Sequence, residues 1–106
     1  MIFPISSTLL DACVLGIVNK EATYGYNLTL EIQETVNVSE STIYPVLRRL
    51  LKEGYVISYD KSFDGRNRRY YEITDCGKDK LYFYKNEWKI YKENINKLIS
   101  GGDGNE

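Results

Sequence analysis

The 106-residue chain contains no histidine. Its absence removes the commonest general base and the commonest metal ligand together. Only two cysteines are present, Cys13 and Cys76, far apart and in neither metal nor redox spacing, so each is expected as a buried free thiol. No apolar run reaches membrane-spanning length, and the four residues before Ile5 are too short for a secretory leader. A cytoplasmic protein without a membrane partner is therefore the expectation. The sequence also lacks a nucleophile elbow, a phosphate-cradling glycine loop, paired carboxylates and any metal-spaced cluster. No enzyme, catalytic residue, metal or cofactor is implied.

Charge of either sign is nearly balanced overall, at net −1, but it is unevenly placed. Residues 1–47 hold one cation and five acids. Residues 48–69 hold seven cations (Arg48, Arg49, Lys52, Lys61, Arg66, Arg68, Arg69) against three acids. The remainder is again slightly acidic. A local basic segment can neutralise phosphates even when the whole chain is acidic. The acidic remainder weakens non-specific attraction, so affinity has to come from geometry.

One compact domain fits this length. Thr8 followed by Asp11 has the pattern of a capping box at the start of a first helix that is apolar over much of its circumference. A turn over residues 19–23 leads to a second helix from about Tyr24 to Val36, with Leu28, Ile32 and Val36 facing inward. Ser39, an N-cap residue type, opens a third helix that ends at Gly54. Pro45 within it is expected to kink or tighten the helix locally. The period then changes to two: Tyr55, Ile57 and Tyr59 alternate with Val56, Ser58 and Asp60, Asp64-Gly65 marks a hairpin turn, and Arg69, Tyr71 and Ile73 return. Thr74 caps a last helix whose Leu81, Tyr84, Trp88, Tyr91, Ile95 and Leu98 recur at heptad spacing.

The third helix carries two faces. Ile43, Leu47, Leu50 and Leu51 form an apolar stripe, while Ser41, Tyr44, Arg48 and Lys52 fall on another side and offer a hydroxyl, a phenol and two cations. A helix anchored by one face and displaying such a row by the other can enter a DNA major groove. A plain solvated surface helix shows the same pattern, and Tyr44 beside Pro45 could equally be a packing pair. Three helices followed by a basic hairpin is the layout of a winged helix-turn-helix, mainly α with a small β hairpin, in which the hairpin tip reaches adjacent phosphates or the minor groove.

In these motifs the chain resembles PadR-type transcriptional regulators, in their small branch with a single C-terminal helix. The matching stretches are Tyr24-Gly25-Tyr26, then residues 41–50 (STIYPVLRRL), Glu53-Gly54-Tyr55-Val56, and residues 65–77 (GRNRRYYEITDCG). Together they span nearly the whole chain, from about residue 8 to residue 99. The resemblance implies a winged helix-turn-helix DNA-binding domain over residues 1–74, a dimerisation helix over 75–100 and a flexible tail over 101–106. It implies a homodimeric repressor on a palindromic operator in double-stranded DNA, often released by a small-molecule effector. Carried over by position, Tyr26, Ser41, Thr42 and Tyr44 approach DNA and Arg66 and Arg68 are wing cations; Arg48 joins them from its own place on the outer face. Glu40, where relatives are more basic, is either a specificity element or a residue favoured by the helix dipole.

The heptad seam is read as the dimer interface, formed by Leu81, Tyr84, Trp88, Tyr91, Ile95 and Leu98. Its aromatic content suits an interface, where rings bury area and keep a polar handle. A sharper reading places a planar or lipophilic effector against Trp88, with Ala12 of the first helix and Lys92 beside it, as drug-sensing relatives use a tryptophan at this place in the helix. The competing reading of the whole chain is a winged-helix protein-interaction module without DNA binding.

Overall fold

The computed structural model describes residues 2–101; of the tail expected at 101–106, all but Gly101 lies outside the described residues. Four helices and three short strands follow one another as α1 (Ser7–Lys20), β1 (Thr23–Tyr24), α2 (Gly25–Thr35), α3 (Glu40–Lys52), β2 (Val56–Phe63), β3 (Arg66–Ile73) and α4 (Asp75–Ile99). The expected mainly α architecture with a winged hairpin is the observed one. Leu10, Val14, Leu15 and Val18 of α1 meet Leu28 and Ile32 of α2 and Ile43, Val46, Leu47 and Leu50 of α3 in a single core, closed from the sheet side by Val56 and Tyr71.

The helix termini follow local chemistry, with two departures from expectation. α1 is capped by Ser6, whose Oγ accepts from the Leu9 amide at 3.1 Å, two residues earlier than the expected Thr8–Asp11 box. Three consecutive hydroxyl residues make that boundary ambiguous in sequence, and Asp11 is engaged elsewhere. Ser39 does occupy the N-cap position of α3, but its hydroxyl bonds the Ser41 and Thr42 hydroxyls at 2.8 and 3.2 Å instead of a backbone amide. The helix runs without interruption through Pro45, and its first turn is tightened by a bond from the Thr42 amide to the Ser39 carbonyl (3.0 Å). Gly54 ends it at φ 79°, the left-handed region that a side chain resists.

β2 and β3 pair antiparallel from Val56↔Ile73 to Phe63↔Arg66. Asp64 and Gly65 turn the chain at φ 52° and 76°, the paired positive values that a two-residue hairpin of this twist requires. Thr23, expected to end a plain turn, and Tyr24, expected to open α2, instead form β1, which pairs Thr23 with Tyr71 and Tyr24 with Tyr70, so the sheet has three strands in the order β1-β3-β2. α4 starts at Thr74, whose Oγ1 accepts from the Gly77 amide at 3.0 Å and donates to the Gly54 carbonyl at 2.7 Å. That pair of bonds nails the start of α4 to the junction of α3 and β2. Cys13 is half-buried and Cys76 is exposed in the first turn of α4, so the expected burial of both thiols does not hold for Cys76.

Candidate nucleic-acid interface

The apolar stripe of α3 is buried at Ile43, Val46, Leu47 and Leu50, which turns Ser41, Tyr44 and Arg48 to the outside. Tyr44 is 36% exposed and Tyr26 is 59% exposed, so neither ring is consumed by packing between helices. Arg48 is exposed, and the Ser39, Ser41 and Thr42 hydroxyls form a small bonded cluster at the N-terminus of α3 beside Glu40. Glu40 stands in the first turn, where the helix dipole favours an acid.

A cleft of about 620 Å³ lies between the start of α2, Tyr44 of α3 and strand β3. Its lining brings together Tyr26, Tyr44, Arg66 and Arg68 from the expected set, with Tyr24, Asn67 and Arg69 added. Ser41, Thr42 and Arg48 do not line it; they stand on the outer surface of α3. Arg69 is engaged by Asp60 at 3.3 Å, whereas among the described residues neither Arg66 nor Arg68 is paired with a carboxylate. Unpaired cations beside exposed phenols in a concave channel are suited to an anionic polymer such as DNA, whose phosphates and sugars together take half or more of a protein's hydrogen bonds to it.

Sequence reasoning passed over an aromatic row on one sheet face. Tyr24, Tyr70 and Tyr59 lie side by side across β1, β3 and β2, with ring centroids 5.7 Å (Tyr24–Tyr70) and 5.8 Å (Tyr70–Tyr59) apart, the second pair stacked at 10°. The signal was present, because a two-residue turn at Asp64-Gly65 dictates that Tyr59 faces Tyr70 and Lys61 faces Arg68.

α4 divides near Trp88. Leu81 is buried in the chain's own core against α1 and Tyr84 is half-buried there, so these two expected interface residues already have intrachain partners. Beyond them Trp88 is 41%, Tyr91 59% and Leu98 79% exposed, while Ile95 is half-buried. Ala12 and Trp88 share a groove of about 320 Å³ with Pro4, Leu9, Tyr84 and Tyr91. Lys92 does not line it; it borders a neighbouring groove with Phe3, Trp88 and Ile95.

Under these elements lies a buried ion pair. Asp11 of α1 is 7% exposed and accepts from the guanidinium of Arg49 of α3, which also donates to Ser7 Oγ at 3.0 Å. Burial pushes the Asp11 carboxyl up from its ordinary value, while Arg49 and the adjacent Tyr84 phenol pull it down. Burial and the nearby Asp11 charge push the Tyr84 phenol up in turn. α3 is thus tied to α1 at one point, with Tyr84 of α4 alongside.

Among the described residues there is no group of acids or cysteines able to hold a metal ion, and no helix is long and apolar enough to cross a membrane. Residues 14–82 match the Transcriptional regulator PadR-like family. The chain is similar to the crystal structure of smu.1704 from Streptococcus mutans UA159, at TM-score 0.90 and 36% identity over 100% of both chains. It is 28% identical over 97 residues to the Negative transcriptional regulator PadR of Bacillus subtilis, a match covering 86% of this chain and 50% of that protein. The structure of Bacillus subtilis PadR in complex with operator DNA superposes at TM-score 0.64 and 27% identity, over 72% of this chain and 46% of that one.

Proposed function

The chain belongs to the PadR-like family of transcriptional regulators, a family of regulators and not of enzymes, and on that footing we propose that it is a cytoplasmic homodimeric repressor acting on a palindromic operator. The observation that carries this reading is the cleft joining Tyr44 of α3 to the unpaired Arg66 and Arg68 of the wing. Ser41, Thr42, Tyr44 and Arg48 enter the major groove, Tyr26 steadies the adjacent backbone, and Arg66 and Arg68 neutralise phosphates. Residues 1–74 form the DNA-binding domain, and residues 75–100 serve as the dimerisation helix. Each arginine that neutralises a phosphate releases a counterion, so Arg66→Ala is expected to weaken DNA binding and reduce the salt slope by about one. A fluorescence-anisotropy titration at several salt concentrations checks this. An unchanged slope with unchanged affinity favours a winged-helix module that binds protein instead.

The partner surface begins where α4 leaves its own core. Trp88, Tyr91, Ile95 and Leu98 offer apolar area that the described chain leaves open in part. A second copy covering it buries those rings and brings two recognition helices to half-sites about one helical turn apart. Ile95→Asp puts a charge without a partner in that seam, and sedimentation is expected to show a monomer; an undisturbed dimer places the interface elsewhere. The groove holding Ala12 and Trp88 is the seat of a planar or lipophilic effector, with Lys92 in the neighbouring groove that shares Trp88. An effector that favours one packing of α4 shifts the spacing of the recognition helices by its differential affinity.

A further inference from the structure

The outer face of the wing presents Tyr59, Lys61 and Phe63 from β2 and their register partners Tyr70, Arg68 and Arg66 from β3. Within that array Arg68 is placed unlike its neighbours. Its Cζ lies 4.6 Å from the centroid of the Tyr24 ring and 5.1 Å from that of the Phe63 ring. It is half-buried, while Arg66 and Arg69 are exposed. Tyr24 is itself held by Tyr70, and Tyr70 by Tyr59. Lys61 stands over the same Tyr70 ring at 5.4 Å, so the row carries a second cation. Phe63, next to the turn, is 52% exposed, a large apolar ring at the tip of a solvent-facing hairpin.

Building on the DNA-binding reading above, we propose that Arg68 is a pre-oriented phosphate clamp of the wing and that Phe63 and Tyr24 are its positioning residues. A guanidinium is planar and carries its donors in the plane, so aromatic faces can hold it and leave those donors free for phosphate oxygens. Fixing the group before binding removes part of the ordering cost that a free arginine meets on contact. The exposed Phe63 ring then acts as one wall of the clamp, although it carries no charge and reaches no phosphate itself. Within the clamp, counterion release comes from Arg68 and not from the rings.

Charge and position can be separated by measurement. The probe is a labelled random-sequence duplex three helical turns long, about 30 base pairs, titrated at several salt concentrations with the full chain. Arg68→Ala is expected to lower the salt slope by about one. Phe63→Leu is expected to weaken binding about threefold to fivefold, the scale of an exposed cation–π contact, with the slope unchanged. Phe63→Tyr, which keeps the ring, binds as the parent does. Arg68→Lys keeps the slope and loses affinity to a similar extent as Phe63→Leu, because an ammonium has no plane to stack. Thermal unfolding of each variant shows whether the hairpin is intact. Parent-like binding by Phe63→Leu, or a slope reduced as far as in Arg68→Ala, overturns the clamp while leaving the DNA-binding reading in place. A parent protein that binds no duplex overturns both.

Discussion

Gly77→Ala is expected to destabilise the protein severely, although it adds a single methyl. Alanine normally stabilises a helix relative to glycine by nearly 1 kcal/mol, and position 77 lies in the first turn of α4, where nothing in the backbone calls for glycine. Space decides the outcome. A Cβ at Gly77 falls 2.0 Å from the Tyr55 carbonyl oxygen and 2.8 Å from Ile73 Cγ1. The Tyr55 carbonyl cannot yield cheaply, because it accepts from the Thr74 amide at 3.1 Å and so closes the junction between β2 and α4. Relief requires the whole start of α4 to lift, and the Thr74 bonds to Gly77 and Gly54 go with it. A loss of roughly 3 kcal/mol or more follows, and a fall in Tm on the order of 10–20 °C. Gly16→Ala is the control, since a Cβ there meets nothing within 4 Å; it is expected to raise Tm slightly. A Gly77→Ala protein as stable as its parent contradicts the described seating of α4.

Arg49→Ala is the second large effect, and it should depend on pH. Removing the guanidinium strands the Asp11 carboxylate, 7% exposed, without its ionic partner. Breaking a buried ion pair from one side costs about 3 kcal/mol at the lower end of its usual range, and the lower end applies because the Arg49 side chain is itself 40% exposed. The sign of the pH dependence follows from the carboxyl. Burial is the largest influence on Asp11 and holds its folded pKa above the ordinary 3.8 even with Arg49 present. The folded state therefore binds that proton more tightly than the unfolded chain does. The stability tied to protonated Asp11 is present below 3.8 and is lost as pH rises through the raised value. Arg49→Ala removes a lowering influence and moves that window upward. Its deficit is expected to be full near neutrality and to shrink in mild acid, as pH falls through the raised folded value, read by urea unfolding under both conditions. Asp11→Asn keeps an oxygen for Arg49 and loses only the charge, so it should cost far less. Equal deficits at the two pH values would mean that the pair is not the source of the loss.

These two effects rest on contacts that sequence patterns reach unequally. The hairpin was legible almost to the residue. Alternation identified both strands, Asp64-Gly65 identified the turn, and a two-residue turn leaves only one register, from Phe63↔Arg66 to Val56↔Ile73. The aromatic row and the Arg68 clamp follow from that same register. β1 escaped because two residues cannot display an alternation, and Thr23–Tyr24 is a strand only by virtue of Tyr70 and Tyr71. The stripe of α3 was legible from its spacing, apart from Val46, which joins the buried set. Asp11 was misassigned to a capping box because a local pattern was available, whereas its partner Arg49 lies 38 residues away and shows itself only once α1 and α3 cross. Heptad spacing in α4 showed which residues share a face but not which of them the chain covers itself. Leu81 is covered by α1, and Leu98 is not.

The reading of the chain as a DNA-binding dimer is tested most directly by selecting bound duplexes from a random double-stranded pool with the full chain. Enrichment of a two-fold symmetric sequence is expected, with half-site centres about 10 base pairs apart or a multiple of that spacing. Mutation of Ser41 or Tyr44 should then change which bases are enriched, while mutation of Arg66 should weaken recovery without changing the sequence. A pool that emerges without enrichment, or with a motif lacking two-fold symmetry, contradicts the account.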